Sequence, residues 1–225
     1  MLQRNLDPRL SLAFDLYGSC CLAADIGTDH AHLPAALLQR GRCQHMILTD
    51  ISSGALDNAR MEMIRLNLLE KVSLRLGDGL SPVHEKCDVI SVMGMGGRTI
   101  RDILRTGVSR LQGASLILSA HTDWHLIRAV LPEIGYILEQ EEPCFAAGRY
   151  YLVLRAIPGK KDLTDQEIRL GGPLFSSSSP VLKPFLKRRA EVLSERLAGL
   201  LSATDPDPDQ IEQLRQDIRF LSSRI

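Results

Sequence analysis

The sequence predicts an α/β fold in which a mostly parallel, doubly wound sheet is followed by a C-terminal antiparallel helical hairpin. Three observations support this prediction. Short apolar runs alternate with amphipathic stretches over the first two thirds of the 225 residues, the last two apolar runs have no helical pattern between them, and two long helical patterns end the chain. Alternating strand and helix patterns are typical of a parallel sheet covered by helices on both faces.

Seven apolar runs are the candidate strands. Several are apolar at every position, as expected for strands that are buried on both faces of a sheet. The runs are residues 20–26, 45–51, 72–77, 88–93, 114–120, 136–141 and 150–157. Because only a short segment, 143–149, separates the last two, we predict that they pair antiparallel at one edge of the sheet.

Helical patterns occupy the segments between strands at 33–39, 53–68, 98–104 and 123–131. The composition changes after Ile157, where Pro158-Gly159 interrupts the pattern. Apolar residues then recur at helical spacing in 183–202 and 208–223, and a short turn containing Asp and Pro joins these two stretches. We therefore predict two domains, a sheet domain at 1–158 and a helical, coiled-coil domain at 159–225.

Bulk composition narrows the classes of function. No apolar run reaches the roughly 18 residues that span a bilayer, and residues 1–7 contain no apolar stretch of signal-peptide type, so we expect a cytoplasmic protein. Five cysteines without C-x-x-C spacing argue against a zinc site and a disulfide framework, so we predict no metal. The 27 basic and 27 acidic residues balance, so only local clusters can indicate nucleic-acid binding.

The strongest motif follows the first candidate strand, which ends near Asp25, with Gly27 two residues later. In such a sheet a nucleotide-like ligand binds at the carboxyl ends of the strands, and a glycine lets the backbone approach it closely. The further glycines of a dinucleotide fingerprint are absent, and Asp29 would repel a pyrophosphate. We therefore expect S-adenosylmethionine, whose ammonium and sulfonium groups attract carboxylates, rather than NAD or FAD. The alternative is an ordinary strand-to-helix turn.

Acidic residues also end the next two candidate strands. Asp50 follows Gly27 by roughly 20 residues, the spacing at which an acid commonly holds ribose hydroxyls, although a helix-capping role is the alternative. Asp78 lies between two glycines and can accept the adenine amino group, although Gly-Asp-Gly is also a common turn. The predicted cofactor contacts are Asp25, Gly27, Thr28, His30, Asp50, Ile51, Asp78, Gly79, Met93 and Gly94.

These motifs resemble those of the bacterial tRNA (adenine-22 N1)-methyltransferases. The resemblance covers nearly the whole chain, and its first and third motifs together are specific. The matching segments are 24–34, 75–80, 94–97, 172–174 and 184–186. The resemblance implies a Rossmann-like class I methyltransferase sheet, a C-terminal coiled coil, S-adenosylmethionine as cofactor and tRNA as partner. The family commonly has Gln-Pro-Asn where this chain has Ser119-Ala120-His121, and often Glu where it has Asp50.

The turn after the fourth candidate strand bears on the chemistry. It lacks the Asn/Asp-Pro-Pro-aromatic motif with which many enzymes grip an exocyclic amine. A ring nitrogen such as adenine N1 already offers an in-plane lone pair, so positioning alone can supply most of the acceleration. The glycines of Gly94-Met95-Gly96-Gly97 would leave room for an unstacked base. The structural alternative is a tight turn with Met93 and Met95 as core residues.

Asp29 is the candidate catalytic residue. A methylated ring nitrogen makes the base cationic before its amino group loses a proton, and a nearby carboxylate favours that developing charge. The alternative role for Asp29 is to hold the methionine end of the cofactor.

Two basic clusters are candidate contacts to nucleic acid. Arg98, Arg101 and Arg105 recur at helical spacing after the glycine turn. The second cluster, at the start of the first C-terminal helix, contains Lys183, Lys187, Arg188 and Arg189. Both clusters could contact a tRNA backbone, and the alternative is a solvated helix face with ion pairs. Trp124 is expected to be buried against the sheet rather than to stack a base.

Two other functions remain open at this point. One is a methyltransferase that acts on another RNA site or on a small molecule, and the other is a noncatalytic scaffold with a degenerate nucleotide-binding domain. A salt-sensitive affinity for tRNA would separate the first from the predicted function, and no detectable binding of S-adenosylmethionine in calorimetry would favour the second. We expect the protein to act as a monomer.

Overall fold

A computed structural model describes residues 6–225. At its centre lies one seven-stranded sheet with the order β3-β2-β1-β4-β5-β7-β6. The strands are β1 (Cys20–Ile26), β2 (Cys43–Asp50), β3 (Val72–Leu76), β4 (Val89–Met95), β5 (Ser115–Ala120), β6 (Tyr136–Ala146) and β7 (Arg149–Pro158). Strands β1 to β5 pair in parallel, whereas β7 runs antiparallel to both β5 and β6. The predicted parallel sheet with an antiparallel edge pair is confirmed.

Helices cover both faces of the sheet. They are α1 (Pro8–Leu16), α2 (His32–Gln39), α3 (Ser53–Arg65), α4 (Gly97–Thr106), α5 (Val108–Leu111), α6 (Trp124–Glu133), α7 (Asp165–Leu170), α8 (Leu182–Leu201) and α9 (Pro208–Ser222). Alternate residues of a strand point to opposite faces, so Ala23 belongs to the apolar cluster beneath α1, α2 and α3, and Ala24 to the cluster beneath α4, α6 and α8.

The topology places a crevice at the middle of the sheet. The chain moves outward from β1 through β2 to β3 and then returns to form β4 on the other side of β1. The loops after β1 and β4 therefore diverge at their carboxyl ends, and this is where α/β proteins bind ligands. The predicted site residues that follow β1 and β4 lie at this switch point.

The two C-terminal helices pack on each other and on the sheet. Phe185 and Leu186 of α8 and Leu214 of α9 join the same apolar cluster as Ile127 of α6 and Leu138 of β6. Only residues 202–207 connect α8 to α9, so the helices lie side by side. The core thus continues across the predicted boundary at 158/159, and the division into two domains stays a prediction.

Several local features differ from the sequence-based expectations, among them helices α5 and α7, which lie in segments where no helical pattern was recognised. Helix α1 was not predicted, although Asp7 caps its N-terminus by accepting hydrogen bonds from two backbone N–H groups and Pro8 occupies its first position. Strand β6 continues past Pro143 to Ala146, because β6 is the edge strand and a proline there need not donate to a neighbour.

Two expectations from composition bear on residues 6–225. In this part of the chain no helix combines the length and apolar character needed to cross a bilayer. The five cysteines are free thiols, and Cys43, Cys87 and Cys144 are buried. Residues 1–5, which formed most of the segment tested for a signal peptide, lie outside the described residues.

Candidate active site

A cavity of about 260 Å³ opens at the carboxyl ends of β1 and β4. Most of the residues predicted to contact the cofactor or to catalyse the reaction meet here. The lining consists of Arg9, Leu10, Asp25, Gly27, Thr28, Asp29, His30, Ala31, His32, Leu33, Pro34, Met93, Gly94 and His121. The loop from β1 to α2 forms one wall, and the ends of β4 and β5 with the first turn of α1 form the other.

Asp25 is the buried carboxylate of this cavity. The residue is only 7% exposed. The Ser91 hydroxyl donates a hydrogen bond of 2.5 Å to Asp25 Oδ1. Because the one Ser91 hydrogen is used in this bond, the Tyr17 hydroxyl, 3.2 Å from Ser91 Oγ, acts as the donor to Ser91. Burial raises the pKa of Asp25, and the Ser91 hydrogen bond offsets part of this rise. A positively charged ligand group would therefore find an under-solvated carboxylate.

The loop between β1 and α2 has an unusual backbone. Gly27, Asp29 and Ala31 have φ angles of +74°, +45° and +52°. Left-handed conformations are uncommon for residues other than glycine and tend to persist where function requires them. The backbone N–H groups of Gly27 and Thr28 both donate to the Thr49 carbonyl, at 2.8 and 3.0 Å, which ties the loop to the end of β2.

Asp50 links the loops that follow β1 and β2. Its Oδ2 accepts a hydrogen bond from the Asp29 backbone N–H at 3.3 Å, and its Oδ1 accepts one from the Ser52 N–H at 2.9 Å. Ser52, not Asp50, caps α3, through the Ala55 N–H. Each oxygen of Asp50 keeps a lone pair for a ligand hydroxyl.

Ile51 extends this surface with an apolar side chain. It is 73% exposed, although removing a large aliphatic side chain from water is favourable. Its position directly after Asp50 suits a flat apolar ring.

Asp29 and His30 lie at the open side of the cavity. Their side chains are 61% and 58% exposed, and Asp29 Oδ2 lies 3.7 Å from His30 Nε2. The His30 ring stacks on the His32 ring at a centroid distance of 5.5 Å. The Asp29 carboxylate is therefore accessible to a ligand from solvent, in contrast to that of Asp25.

Asp78 and Gly79 are not brought into this cavity. They line a second cavity of about 660 Å³ together with Thr99, Asp102 and other residues of α4 and α5. Of the three strand-end acids, Asp25 and Asp50 thus lie near Asp29 of the loop after β1, whereas Asp78 lies apart from them.

The glycine turn after β4 divides into two parts. Gly94 has a φ of +77° and forms a β-bulge, because the pairing with β5 shifts between Met93 and Met95; bulges often lie next to active sites. A Cβ at Gly97 would overlap the Asp123 carbonyl. Met95 packs on the core and directly over Gly27. The alternative of a tight turn with core methionines therefore accounts for Met95 and Gly97, whereas Met93 packs against the core and also lines the cavity with Gly94.

The basic clusters differ in accessibility. Arg98, Lys183 and Lys187 are exposed and form no ion pair with the residues that the structure describes. Arg101 pairs with Asp102 at 2.7 Å, and Arg105 pairs with Glu133 at 2.7 Å. The Arg188 guanidinium lies 3.2 Å from Glu191 and 3.3 Å from Glu195.

Arg189 requires a correction. Its guanidinium lies over the Trp124 ring, 5.3 Å from the centroid, and burial, followed by repulsion from Arg128, lowers the pKa of Arg189 to about 10. Arg189 therefore faces the junction of α6 and α8, and we withdraw it from the RNA contacts. Trp124 is half-buried as expected, but it packs on Phe185 of α8, at 5.6 Å between ring centroids, and its Nε1 donates to the Ala120 carbonyl.

Sequence reasoning missed three side chains of this site. Tyr17 and Ser91 support Asp25, and Arg9 lines the cavity. Asp7-Pro8 is a helix-start signal that could have placed Arg9. Tyr17 and Ser91 are 74 residues apart in the chain, and no local pattern predicts such a pair.

The site contains no recognisable metal centre. Within residues 6–225, no three His, Cys, Asp or Glu side chains come together in a way that could hold a metal ion.

Comparisons with known proteins agree on one family. A family model described as tRNA (adenine(22)-N(1))-methyltransferase matches residues 23–223. The protein of that name from Bacillus subtilis (strain 168) is 30% identical, over 100% of this chain and 96% of its own length.

Solved structures resemble the whole chain. The B. subtilis m1A22 tRNA methyltransferase TrmK has a TM-score of 0.86 and 26% identity, covering 99% of this chain and 100% of that one. Streptococcus pneumoniae Sp1610 in complex with S-adenosyl-L-methionine has a TM-score of 0.85 and 27% identity, covering 98% of this chain and 99% of that one.

Proposed function

The chain belongs to the tRNA (adenine(22)-N(1))-methyltransferase family, and on that premise we propose that it transfers a methyl group from S-adenosylmethionine to N1 of adenine 22 in tRNA. The observation that carries the proposal is the group of three carboxylates, Asp25, Asp29 and Asp50, at the carboxyl ends of β1 and β2 beside one cavity. A family resemblance alone would not require that the site be intact.

The donor set fits this cofactor. The buried Asp25 carboxylate suits the positive ammonium or sulfonium end, because an opposite charge offsets the cost of its burial. Asp50 has lone pairs for the ribose hydroxyls, and the exposed Ile51 side chain suits a face of the adenine ring. Thr28 and His30 would contact the methionine part of the cofactor. Asp78 and Gly79 would contact the adenine edge that faces the second cavity.

The chemistry requires little proton transfer before attack. The bound cofactor supplies an electrophilic methyl group on a sulfonium. The lone pair of adenine N1 forms the new bond to that carbon while the bond from carbon to sulfur breaks and its electron pair stays on sulfur. The base becomes cationic, and the accessible Asp29 carboxylate at the cavity mouth stabilises that charge until the amino group releases a proton. Met93 and Gly94 provide the adjoining wall.

The RNA would contact both the sheet domain (1–158) and the helical domain (159–225). Arg98, Lys183 and Lys187 are the exposed contacts; Arg101 and Arg188 would exchange an acidic partner for a phosphate. Phosphate contacts of this kind release counterions, so the affinity for tRNA should fall steeply with salt. We further propose that the protein works in the cytoplasm, as a monomer and without a metal.

One experiment tests the function directly. Purified protein is incubated with labelled S-adenosylmethionine and unmodified tRNA, with and without EDTA, and the product is located by nucleoside mapping. We expect 1-methyladenosine at position 22 in both samples, and no transfer to a tRNA in which adenine 22 is replaced by guanine. Undiminished transfer to the substituted tRNA would favour another RNA site. Failure to bind the cofactor in calorimetry would favour a scaffold.

A further inference from the structure

We propose that Arg9 is the stacking surface for the acceptor base and that Tyr151 is a positioning residue which holds the Arg9 guanidinium in place. This inference rests on the proposed function, because it assigns the adenine of the RNA to a specific part of the cavity. The subsite would accept a neutral purine ring that has left its stack.

The first observation is the layered contact between the two side chains. The Arg9 guanidinium carbon lies 5.3 Å from the centroid of the Tyr151 ring, within the range of a cation–π interaction. Arg9 lines the cavity and Tyr151 does not. The guanidinium therefore lies between the tyrosine ring and the cavity, where its plane can be offered to a ligand. Guanidinium planes of this kind stack on unstacked bases in RNA recognition.

The second observation is the position of this pair relative to the carboxylates. Tyr151 lies near the start of β7, and because β7 runs antiparallel to β5, that start lies at the edge where β4 and β5 end. His121 follows β5 and makes an edge contact with Tyr151 at a centroid distance of 6.0 Å. Arg9 therefore stands on the β5 side of the cavity, whereas Asp25 and Asp50 end the strands on the β1 and β2 side. The carboxylates assigned to the cofactor and the side chain assigned to the base therefore lie on different sides of the cavity, and β4 with Gly94 lies between them.

The third observation is the close approach of the Gly94 backbone to the Arg9 side chain. A Cβ built at Gly94 would lie 3.9 Å from Arg9 Nη1, so the bulge places backbone without a side chain beside the guanidinium. The start of α1 fixes the arginine backbone, since Asp7 Oδ1 accepts a 2.8 Å hydrogen bond from the Arg9 N–H. Because Gly94 has no side chain, it leaves this part of the guanidinium uncovered beside the cavity that both residues line.

The charge of Arg9 predicts which kinetic constant changes. A fixed cation stacks well on the neutral adenine but gives no help to the positive charge that develops during methyl transfer. Arg9 therefore binds the base no more strongly in the transition state than in the ground state. Its loss should raise KM for tRNA with little change in kcat.

The kinetic test compares Arg9→Met with Arg40→Met. Arg40 also stacks on an aromatic ring, that of Phe14 at 4.8 Å, but it follows the end of α2 remote from the cavity. We expect Arg9→Met to raise KM for tRNA about tenfold, the order found for one lost stacking contact, with the Kd of S-adenosylmethionine unchanged. Arg40→Met should change neither constant. An unchanged KM in Arg9→Met, or an equal loss of cofactor affinity, would overturn the proposal.

The positioning role of Tyr151 has its own test. Tyr151→Phe keeps the ring under the guanidinium and should retain the wild-type KM for tRNA, whereas Tyr151→Leu should raise it several-fold. In the Arg9→Met background, Tyr151→Leu should have no further effect, because its action passes through Arg9. Equal defects of the Phe and Leu variants, or an additive effect in the double variant, would show that Tyr151 does not act through Arg9.

A binding measurement separates this proposal from the methyltransferase function. Adenosine monophosphate is added to protein saturated with S-adenosylhomocysteine, and contact is detected by NMR saturation transfer. We expect a signal with the wild type and its loss with Arg9→Met. If the wild type methylates no RNA but shows this signal, the function fails and the subsite stands. If both proteins methylate adenine 22 and give equal signals, the subsite fails and the function stands.

Discussion

Arg128 of α6 and Glu141 of β6 form an ion pair inside the protein, with Arg128 Nε donating to Glu141 Oε1 at 2.6 Å and side-chain exposures of 1% and 0%. Glu141 Oε2 accepts a further hydrogen bond from the Gly172 backbone N–H at 3.1 Å. Arg128 Nη1 donates to the Ile168 carbonyl at 3.2 Å. The pair therefore fixes the segment that leads from the sheet to the C-terminal helices.

We expect Arg128→Met to destabilise the fold by about 3–5 kcal/mol, because the substitution leaves the buried Glu141 carboxylate without an opposite charge. Urea unfolding measures this loss. Arg105→Met is the matched control: it breaks the exposed pair with Glu133 and should cost less than about 1 kcal/mol. Equal losses in the two variants would mean that the buried pair contributes no more than a surface pair.

Asp25→Asn should stabilise the ligand-free protein while it abolishes cofactor binding. Burial raises the pKa of Asp25 in the folded state, so its favourable contribution is complete below the unfolded pKa, about 3.9, and is lost as the pH rises through the folded pKa. At pH 7 the ionised carboxylate therefore costs stability. The amide keeps the hydrogen bond from Ser91 and carries no charge, so the variant avoids the cost of burying an ionised carboxylate.

Thermal unfolding at pH 7 and at pH 4 checks this sign. The variant should melt above the wild type at pH 7, and the gap should narrow at pH 4. S-adenosylmethionine should raise the melting temperature of the wild type only. If the melting temperature of the variant exceeds that of the wild type by less at pH 7 than at pH 4, burial does not destabilise the ionised Asp25 carboxylate.

Ser91→Ala should weaken cofactor binding without a change in KM for tRNA. The Ser91 hydroxyl donates to the Asp25 carboxylate, and a hydrogen bond to a charged group contributes about 1.5–3 kcal/mol. Loss of this donor lets the carboxylate turn away from the cavity. We expect the Kd of S-adenosylmethionine, measured by calorimetry, to rise roughly tenfold or more. Ser115→Ala is the control. Ser115 lies at the start of β5, at the edge of the sheet away from the cavity, so this variant should leave the Kd unchanged.

The sequence was most informative where chemistry and secondary structure coincide along the chain. Asp25 and Gly27 could be placed because an apolar strand, an acid and a glycine follow one another, and the bounds of β1 were predicted without error. Helical spacing located Arg188 and Arg189 together, but it could not tell that Arg189 turns inward, since that depends on Trp124, which lies in a different part of the chain.

Contacts between segments that are far apart in the sequence could not be predicted from local patterns. Arg9 and Tyr151 meet because α1 packs on the antiparallel edge pair, and Tyr17 meets Ser91 because α1 covers the middle of the sheet. Helix α1 precedes β1, so it lies outside the alternation of strand and helix patterns from which the helices between strands were predicted. The acidic half of the cavity was therefore predictable from local motifs, and the half formed by Arg9 and its neighbours was not.

Asp29→Asn tests whether the exposed carboxylate takes part in the chemistry. Asparagine retains the size of the side chain and tolerates the left-handed backbone, φ +45°, so the variant should fold and should keep the backbone hydrogen bond to Asp50. If Asp29 stabilises the cationic base, kcat should fall on the order of a hundredfold, while the Kd of S-adenosylmethionine stays within a few-fold of the wild type. Single-turnover methylation and calorimetry give the two values.

The comparison with Asp25→Asn makes this outcome decisive. Asp25 is buried next to the loop between β1 and α2, so its variant should lose cofactor affinity first. Asp29, in contrast, is open to solvent at the mouth of the cavity. A catalytic Asp29 therefore predicts different defects in the two variants, one in turnover and the other in binding. Equal losses of cofactor affinity would assign Asp29 to the methionine end of the cofactor, and positioning of N1, carbon and sulfur would then have to supply the rate by itself.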